Sequence, residues 1–244
     1  MRRRLLDRLF LPAHVAGVKE LAPRLHHVAL TGPALAGLTC LPGQHVRLQV
    51  GAAPGPVGLL VGALRTYSVW DYDGERIELI VFDHGDGPGA AWGRTAAPGD
   101  ELRLLKPEGD FTTIPAGYHV FAGDETAQVA YGAMLRALPP DARVFGRLEV
   151  DSPDERLDLG EDLTPNGDWD LGWCYRGGRS AASAQTLVDA VRDLDLPAEP
   201  GMAYLAGEAR TIQLIRRHLV EERRWPRRNV RTKPFWTPGK KGLD

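Results

Sequence analysis

Two cysteines in 244 residues, Cys40 and Cys174, are too few and too far apart for a metal cluster. They match no zinc spacing, and two thiols cannot hold an iron–sulfur cluster that takes four cysteines from one chain. Reduced, packing thiols are the expectation. No apolar run approaches the roughly 20 residues of a membrane helix, because Gly, Pro or charge interrupts every long stretch. The start, Arg2-Arg3-Arg4 followed by Leu5-Leu6 and Leu9-Phe10-Leu11, has the outline of a secretory leader, but Asp7 and Arg8 split its apolar part. It reads as an amphipathic surface segment of a cytoplasmic protein with no membrane insertion. Neither sign of charge dominates: 30 basic against 32 acidic residues give a net charge of −2. With 43% apolar residues, the chain can bury one large core or two modest ones.

What is present divides into two styles. Val15–Val18, Leu25–Leu30 and His45–Val50 are short β-rich runs set off by Pro and Gly, the third opened by the turn Pro42-Gly43-Gln44. Val69–Asp71 and Ile77–Phe82 flank Tyr72-Asp73-Gly74-Glu75 as a hairpin, and Leu102–Leu105 follows another turn, Pro98-Gly99-Asp100. Short antiparallel strands at this spacing predict a small barrel. From Tyr118 the period changes. Strands at Val120–Ala122, Val144–Val150, Leu171–Tyr175 and Ala203–Ala206 interleave with helices over Thr126–Leu138, Ala182–Leu194 and Ala209–Glu222. Repeated strand-to-helix units predict a mostly parallel sheet with covering helices, and a boundary near residue 115 gives domains 1–115 and 116–244.

Several junctions carry candidate chemistry. In Arg65-Thr66-Tyr67-Ser68 on a strand, Arg65 and Tyr67 share one face and Ser68 turns to the other. Such a trio could hold a flavin, the guanidinium on a pyrophosphate, the ring on the isoalloxazine and the hydroxyl near a ring nitrogen. An ordinary edge strand with Arg65 in solvent is the plain alternative. His84-Gly85-Asp86-Gly87-Pro88-Gly89-Ala90-Ala91-Trp92 ends a strand and begins a short helix, whose free amides and small side chains would seat an anion. Gly123-Asp124-Glu125-Thr126-Ala127 opens another helix, where Thr126 could cap or reach a ligand; Ala206-Gly207-Glu208-Ala209 repeats the arrangement. Arg176-Gly177-Gly178-Arg179 suits a 2′-phosphate or pyrophosphate, or is a solvated basic loop.

Together, in this order and spacing, these motifs resemble the siderophore-interacting protein family of ferric-siderophore reductases, relatives of the ferredoxin-reductase-like flavoproteins. The match runs from about Arg24 to Lys241 and includes the terminal aromatic pair Phe235-Trp236 ahead of Gly239. The resemblance implies an N-terminal antiparallel FAD-binding β-barrel and a C-terminal nicotinamide-binding α/β domain. It implies electrons passing from NADPH or NADH through FAD to the iron of a ferric siderophore. Arg65 and Thr66 would bind FAD, and Tyr67 and Ser68 would be the catalytic residues, packing on and hydrogen-bonding the flavin. His84, Gly85, Gly89, Ala90 and Ala91 would hold the pyrophosphate, and Asp124 and Thr126 would lie at the cofactor. Gly207 and Glu208 would face the nicotinamide, with Arg176 and Arg179 leaning toward NADPH. Trp236, Lys240 and Lys241 would meet the substrate. No bound metal and no nucleic-acid partner are implied, and a monomer is the expectation.

The family usually has Thr at Ser68, a basic residue soon after it where Val69 and Trp70 stand, Ala at Gly89, and Arg at Thr237. The His-Gly loop is one residue shorter. Ten Lys or Arg between Arg216 and Lys241, against Glu221 and Glu222, make a basic end that would concentrate an anionic chelate. No base-stacking aromatic pattern accompanies that charge. A flavin reductase of another acceptor, or a siderophore binder without catalysis, remain the alternatives.

Overall fold

A computed structural model describes residues 9–50, 64–85, 87–159 and 169–239. The basic N-terminal start, Asp86, Lys240 and Lys241 lie outside the described residues. The chain divides into two compact units, Met1–Thr112 and Thr113–Asp244. Among the described residues no helix is long and apolar enough to cross a membrane.

The first unit is a closed barrel of six strands: β1 (Leu11–Ala22), β2 (Leu25–Thr31), β3 (His45–Gln49), β4 (Leu64–Tyr72), β5 (Arg76–Phe82) and β6 (Glu101–Leu104), in the order β1-β2-β5-β4-β3-β6. Every pairing in it is antiparallel. Alternation fills its interior. Val46 and Leu48 from β3, Val69 from β4, Ile77, Leu79 and Val81 from β5, and Leu102 and Leu104 from β6 are buried together. Between β5 and β6 the chain forms helix α1 (Pro88–Thr95), started by Pro at its first position, where the missing N–H costs nothing. α1 packs close on the barrel, since a Cβ on Gly93 would stand 2.6 Å from Val81 Cγ1.

The second unit is a five-stranded parallel sheet. Its strands are β7 (His119–Asp124), β8 (Val144–Val150), β9 (Trp169–Tyr175), β10 (Met202–Glu208) and β11 (Val230–Trp236), ordered β11-β10-β7-β8-β9. Central β7 and β10 are buried at every position, as a sheet covered on both faces requires. Helices α3 (Gln185–Arg192) and α4 (Ala209–Arg217) close one face over Val120, Ala122, Ala203 and Leu205. Against Phe121 and Tyr204 lies Tyr131 of α2 (Gln128–Arg136), its hydroxyl within hydrogen-bond distance of the Ala122 and Tyr204 carbonyls.

The elements differ from the sequence reading at their ends. The helix expected from Thr126 starts with a 3₁₀ turn at Glu125–Ala127, and that expected from Ala182 starts at Gln185, after Ser183 at φ +58°. The last helix widens into a π turn at His218–Glu222. β11 was not foreseen, because Arg231, Lys233 and Pro234 read as a basic tail; as the outermost strand of the sheet it tolerates both charge and proline.

Gly123 stands one residue before the end of β7, closely packed on its neighbours. A Cβ there would stand 2.2 Å from the Ala206 carbonyl oxygen of β10 and 2.9 Å from Ala127 Cβ. Gly123→Ala is expected to destabilise the protein by about 2–3 kcal/mol, a loss seen as a lower denaturation midpoint with unchanged m-value.

Candidate functional site

In the first unit the register of β3 on β4 sets the faces. Tyr67 lies opposite Val46 and Arg65 opposite Leu48, so both share the face of the core-lining residues; Thr66 and Ser68, opposite Arg47 and His45, take the other. Tyr67 packs against the barrel core and against Trp92 of α1, ring centroids 5.4 Å apart. Its hydroxyl is buried, makes no hydrogen bond, and is pushed to a higher pKa by burial. Gly89 explains how it fits: a Cβ at that position would lie 2.8 Å from the Tyr67 oxygen and 3.6 Å from Arg65 Cγ. The first turn of α1 therefore rests directly on Arg65 and Tyr67.

That turn has no side-chain cap, and its first bond runs from the Ala91 N–H to the Gly87 carbonyl. The amides of Gly89 and Ala90 are left for a ligand or solvent. Arg65 donates to the Leu64 carbonyl at 2.8 Å, and among the described residues no carboxylate pairs with it. An uncommitted guanidinium beside two free amides at a helix N-terminus is a seat for a phosphate. His84 and Gly85 are exposed at the loop before it, which Arg94 clamps through Asp83 at 2.6 Å and the Gly85 carbonyl at 3.2 Å. These residues, with the partnerless Tyr67 hydroxyl and the bare Gly89, fit a dinucleotide such as FAD.

In the second unit the carboxyl ends of the parallel strands meet at Asp124. Its Oδ1 accepts the Thr126 N–H at 3.0 Å and the Thr126 hydroxyl at 2.5 Å; its Oδ2 accepts the Glu208 N–H at 2.7 Å and the Trp236 indole N–H at 2.8 Å. Burial, and then the neighbouring Glu125, push its carboxyl up to about 6. Gly207 is required beside it: its φ is +125°, and a Cβ would stand 2.7 Å from the Asp124 carboxylate.

Two of the expected cofactor residues are tied into the fold. One is Glu208, through its carboxylate. That group is buried and caps α4, accepting from the Arg210 and Thr211 amides, the Thr211 hydroxyl and the Ser183 amide. Burial works to raise its pKa, but these bonds outweigh it and hold the group below the ordinary value. Arg176, expected at a 2′-phosphate, is the other. It is buried, forks onto both oxygens of Glu125 at 2.5 and 2.9 Å, and approaches Glu149 at 3.4 Å. Arg179 alone of that pair is exposed, its Nε donating to the Arg176 carbonyl at 2.9 Å. Trp92, Glu125 and Glu149 were missed as supports. Trp92 stands inside the His-Gly loop motif and could have been read; Glu149 carries no local signal.

The closed antiparallel barrel followed by a covered parallel sheet is the ferredoxin-reductase-like architecture of flavin- and nicotinamide-binding proteins. Residues 60–111 match the model of the siderophore-interacting FAD-binding domain, and residues 116–239 match that of the siderophore-interacting protein family. The chain belongs to the siderophore-interacting protein family. It is 32% identical over 184 residues to the ferric vibriobactin reductase ViuB of Vibrio cholerae, covering 72% of this chain and 65% of that protein, just under two thirds of its length. An uncharacterized protein of Mycobacterium tuberculosis is 30% identical over 242 residues, covering 86% of this chain and 83% of its own. The crystal structure of a siderophore utilization protein from T. fusca superposes with a TM-score of 0.81 at 27% identity, covering 96% of this chain and 95% of that one.

Two expected outcomes follow from the geometry. Ala is a better helix former than Gly, so Gly89→Ala should help α1 by itself; against the Tyr67 oxygen it should instead weaken FAD binding about tenfold. Removing that oxygen in Gly89→Ala/Tyr67→Phe should restore FAD binding, measured by flavin fluorescence titration. Separately, burial raises the Glu149 carboxyl to about 7, with Arg176 opposing. A carboxyl raised in the folded state adds stability fully below its unfolded pKa, and that contribution is lost as pH rises through 7. Glu149→Gln should therefore gain in melting temperature over wild type above pH 7 and lose that advantage toward pH 5.

Proposed function

We propose that this protein is a flavin-dependent ferric-siderophore reductase, residues 1–115 holding FAD and residues 116–244 binding the nicotinamide donor. The observation that carries the reading is the uncommitted Arg65 guanidinium against the uncapped first turn of α1, beside the half-buried Tyr67 ring. When bound, FAD supplies the conversion of hydride equivalents from a reduced nicotinamide into single-electron reduction of ferric iron. The chain's part is positional. Arg65 and the Gly89 and Ala90 amides hold the pyrophosphate, aided by His84, Gly85 and Ala91; Tyr67 lies on the isoalloxazine, and Ser68, with Thr66 beside it, donates at its edge. Thr126, oriented by Asp124, lies near the cofactor.

On the donor side the Gly207 backbone offers a flat approach for the nicotinamide, Glu208 acting by holding α4 rather than by contact. Arg179 is the exposed cation suited to a nucleotide phosphate, which favours NADPH over NADH. The substrate is a ferric siderophore, drawn by exposed cations such as Arg227 and Arg228 and met by Trp236 with Lys240 and Lys241. Ferrous iron leaves because oxygen ligands suit the harder ferric ion better. The reading takes the protein as a cytoplasmic monomer.

The test is a flavin spectrum after reconstitution with FAD, then anaerobic reduction by NADPH or NADH and trapping of ferrous iron released from a ferric chelate. Protein that stays colourless sinks the reading. Arg65→Ala is expected to raise the Kd for FAD by about ten- to a hundredfold, the worth of a charge-assisted contact.

A further inference from the structure

Asp124 holds more of the second unit than a helix cap needs. Its two oxygens accept four donors from three places: the Thr126 amide and hydroxyl in the 3₁₀ turn that leads into α2, the Glu208 amide at the end of β10, and the Trp236 indole at the end of β11. The last two converge on one oxygen, Oδ2. Trp236 lies 112 residues away in sequence and is half-buried, and its indole N–H is tied to Asp124 by this bond. β11 is also irregular there. Its pairing with β10 shifts register between Gly207 and Glu208, so Glu208 faces Trp236 while Gly207 faces Pro234. The carboxylate supplies a fixed point for the ring where the strand pairing is irregular.

We propose that Asp124 is a positioning residue that acts through Trp236, fixing this aromatic ring in register with the Gly207–Glu208 turn by one shared carboxylate oxygen. Under the function proposed above, the residue meeting the ferric chelate and the turn meeting the nicotinamide then hang from the same atom. Neither can shift without loading the other. The anchor is also sensitive to protonation, since a protonated carboxyl loses acceptor capacity and gains a hydrogen that competes with its four donors. The charged and titratable groups around it are Glu125 beside it, Glu149 of β8, Tyr131 of α2 and Glu208 of β10, with Arg176 holding Glu125 and Glu149. Its pKa near 6 places the change within a measurable range.

The experiment follows Trp236 directly. The chain has six tryptophans, so the difference in acrylamide quenching between wild type and Trp236→Phe isolates this one. In wild type that difference should rise about twofold as pH falls through 6. In Asp124→Asn, whose amide turns an N–H toward two donors, it should already be high and flat with pH. In turnover, Asp124→Asn and Trp236→Phe should each raise the KM for the ferric chelate several-fold, and the double variant should lose no more than the worse single one. Additive losses, or a Trp236 signal that ignores both pH and Asp124→Asn, overturn the proposal. If Asp124→Asn fails to fold, the wild-type quenching profile and the pH dependence of the chelate KM in Trp236→Phe decide alone: the first should keep its transition near pH 6, and the second should lack the one that the wild-type KM shows. Quenching needs no flavin and no substrate, so absent reductase activity would sink the functional reading while leaving the anchor to be judged separately.

Discussion

The upper edge of the parallel sheet depends on one buried carboxylate. Parallel strands end in the same direction, so their last residues gather polar backbone groups and helix starts at one rim. At Asp124 those demands meet: a helix start, a strand end and an indole are satisfied together by two oxygens. A buried carboxylate with four donors is far less costly than one without, though burial still lifts its pKa to about 6. Gly207 is the backbone consequence, bare and at φ +125° because the carboxylate occupies the space of a side chain.

Around this hub the second unit uses its charges on itself. Glu208 is consumed by the start of α4, and Arg176 by Glu125 and Glu149. Two carboxylates, Glu125 and Glu149, share one buried guanidinium, which leaves the less paired of them, Glu149, with one oxygen bare and its pKa raised to about 7. The first unit does the opposite. Its interior is aliphatic, and Arg65 keeps its charge uncommitted among the described residues. A barrel rim with spare cations and amides recognises an anion. A sheet rim whose ions are committed to one another offers backbone and shape.

What the sequence could disclose follows how far each contact reaches along the chain. The faces of Arg65 and Tyr67 are a matter of alternation within one strand, and the alternation of interior positions in β3 and β5 is equally local. The strand-to-helix units announce themselves through buried runs such as His119–Asp124, which only a doubly covered sheet can accept. The ion pairs of Arg176 are not legible because its partners stand 51 and 27 residues away, and a Gly-rich loop with two arginines looks solvated until the fold turns one inward. Trp236 and Asp124 are further apart still. Gly89 is the middle case, a visible departure whose reason, the Tyr67 oxygen, appears only when α1 is laid on β4.

The same comparison of committed and spare charge ranks the cations as phosphate ligands. Drawing Arg176 toward a nucleotide would strand buried carboxylates, a loss of about 3–5 kcal/mol when one partner of a buried pair is removed. A charge-assisted bond to a phosphate returns about 1.5–3 kcal/mol. The exchange runs uphill, so Arg176 belongs to the architecture of the rim and holds the loop that presents Arg179 through its own carbonyl. Arg65 faces no such penalty: its one bond to the Leu64 carbonyl leaves the rest of the fork's donors to spare. Two arginines that look alike in a motif are separated by what each would have to give up.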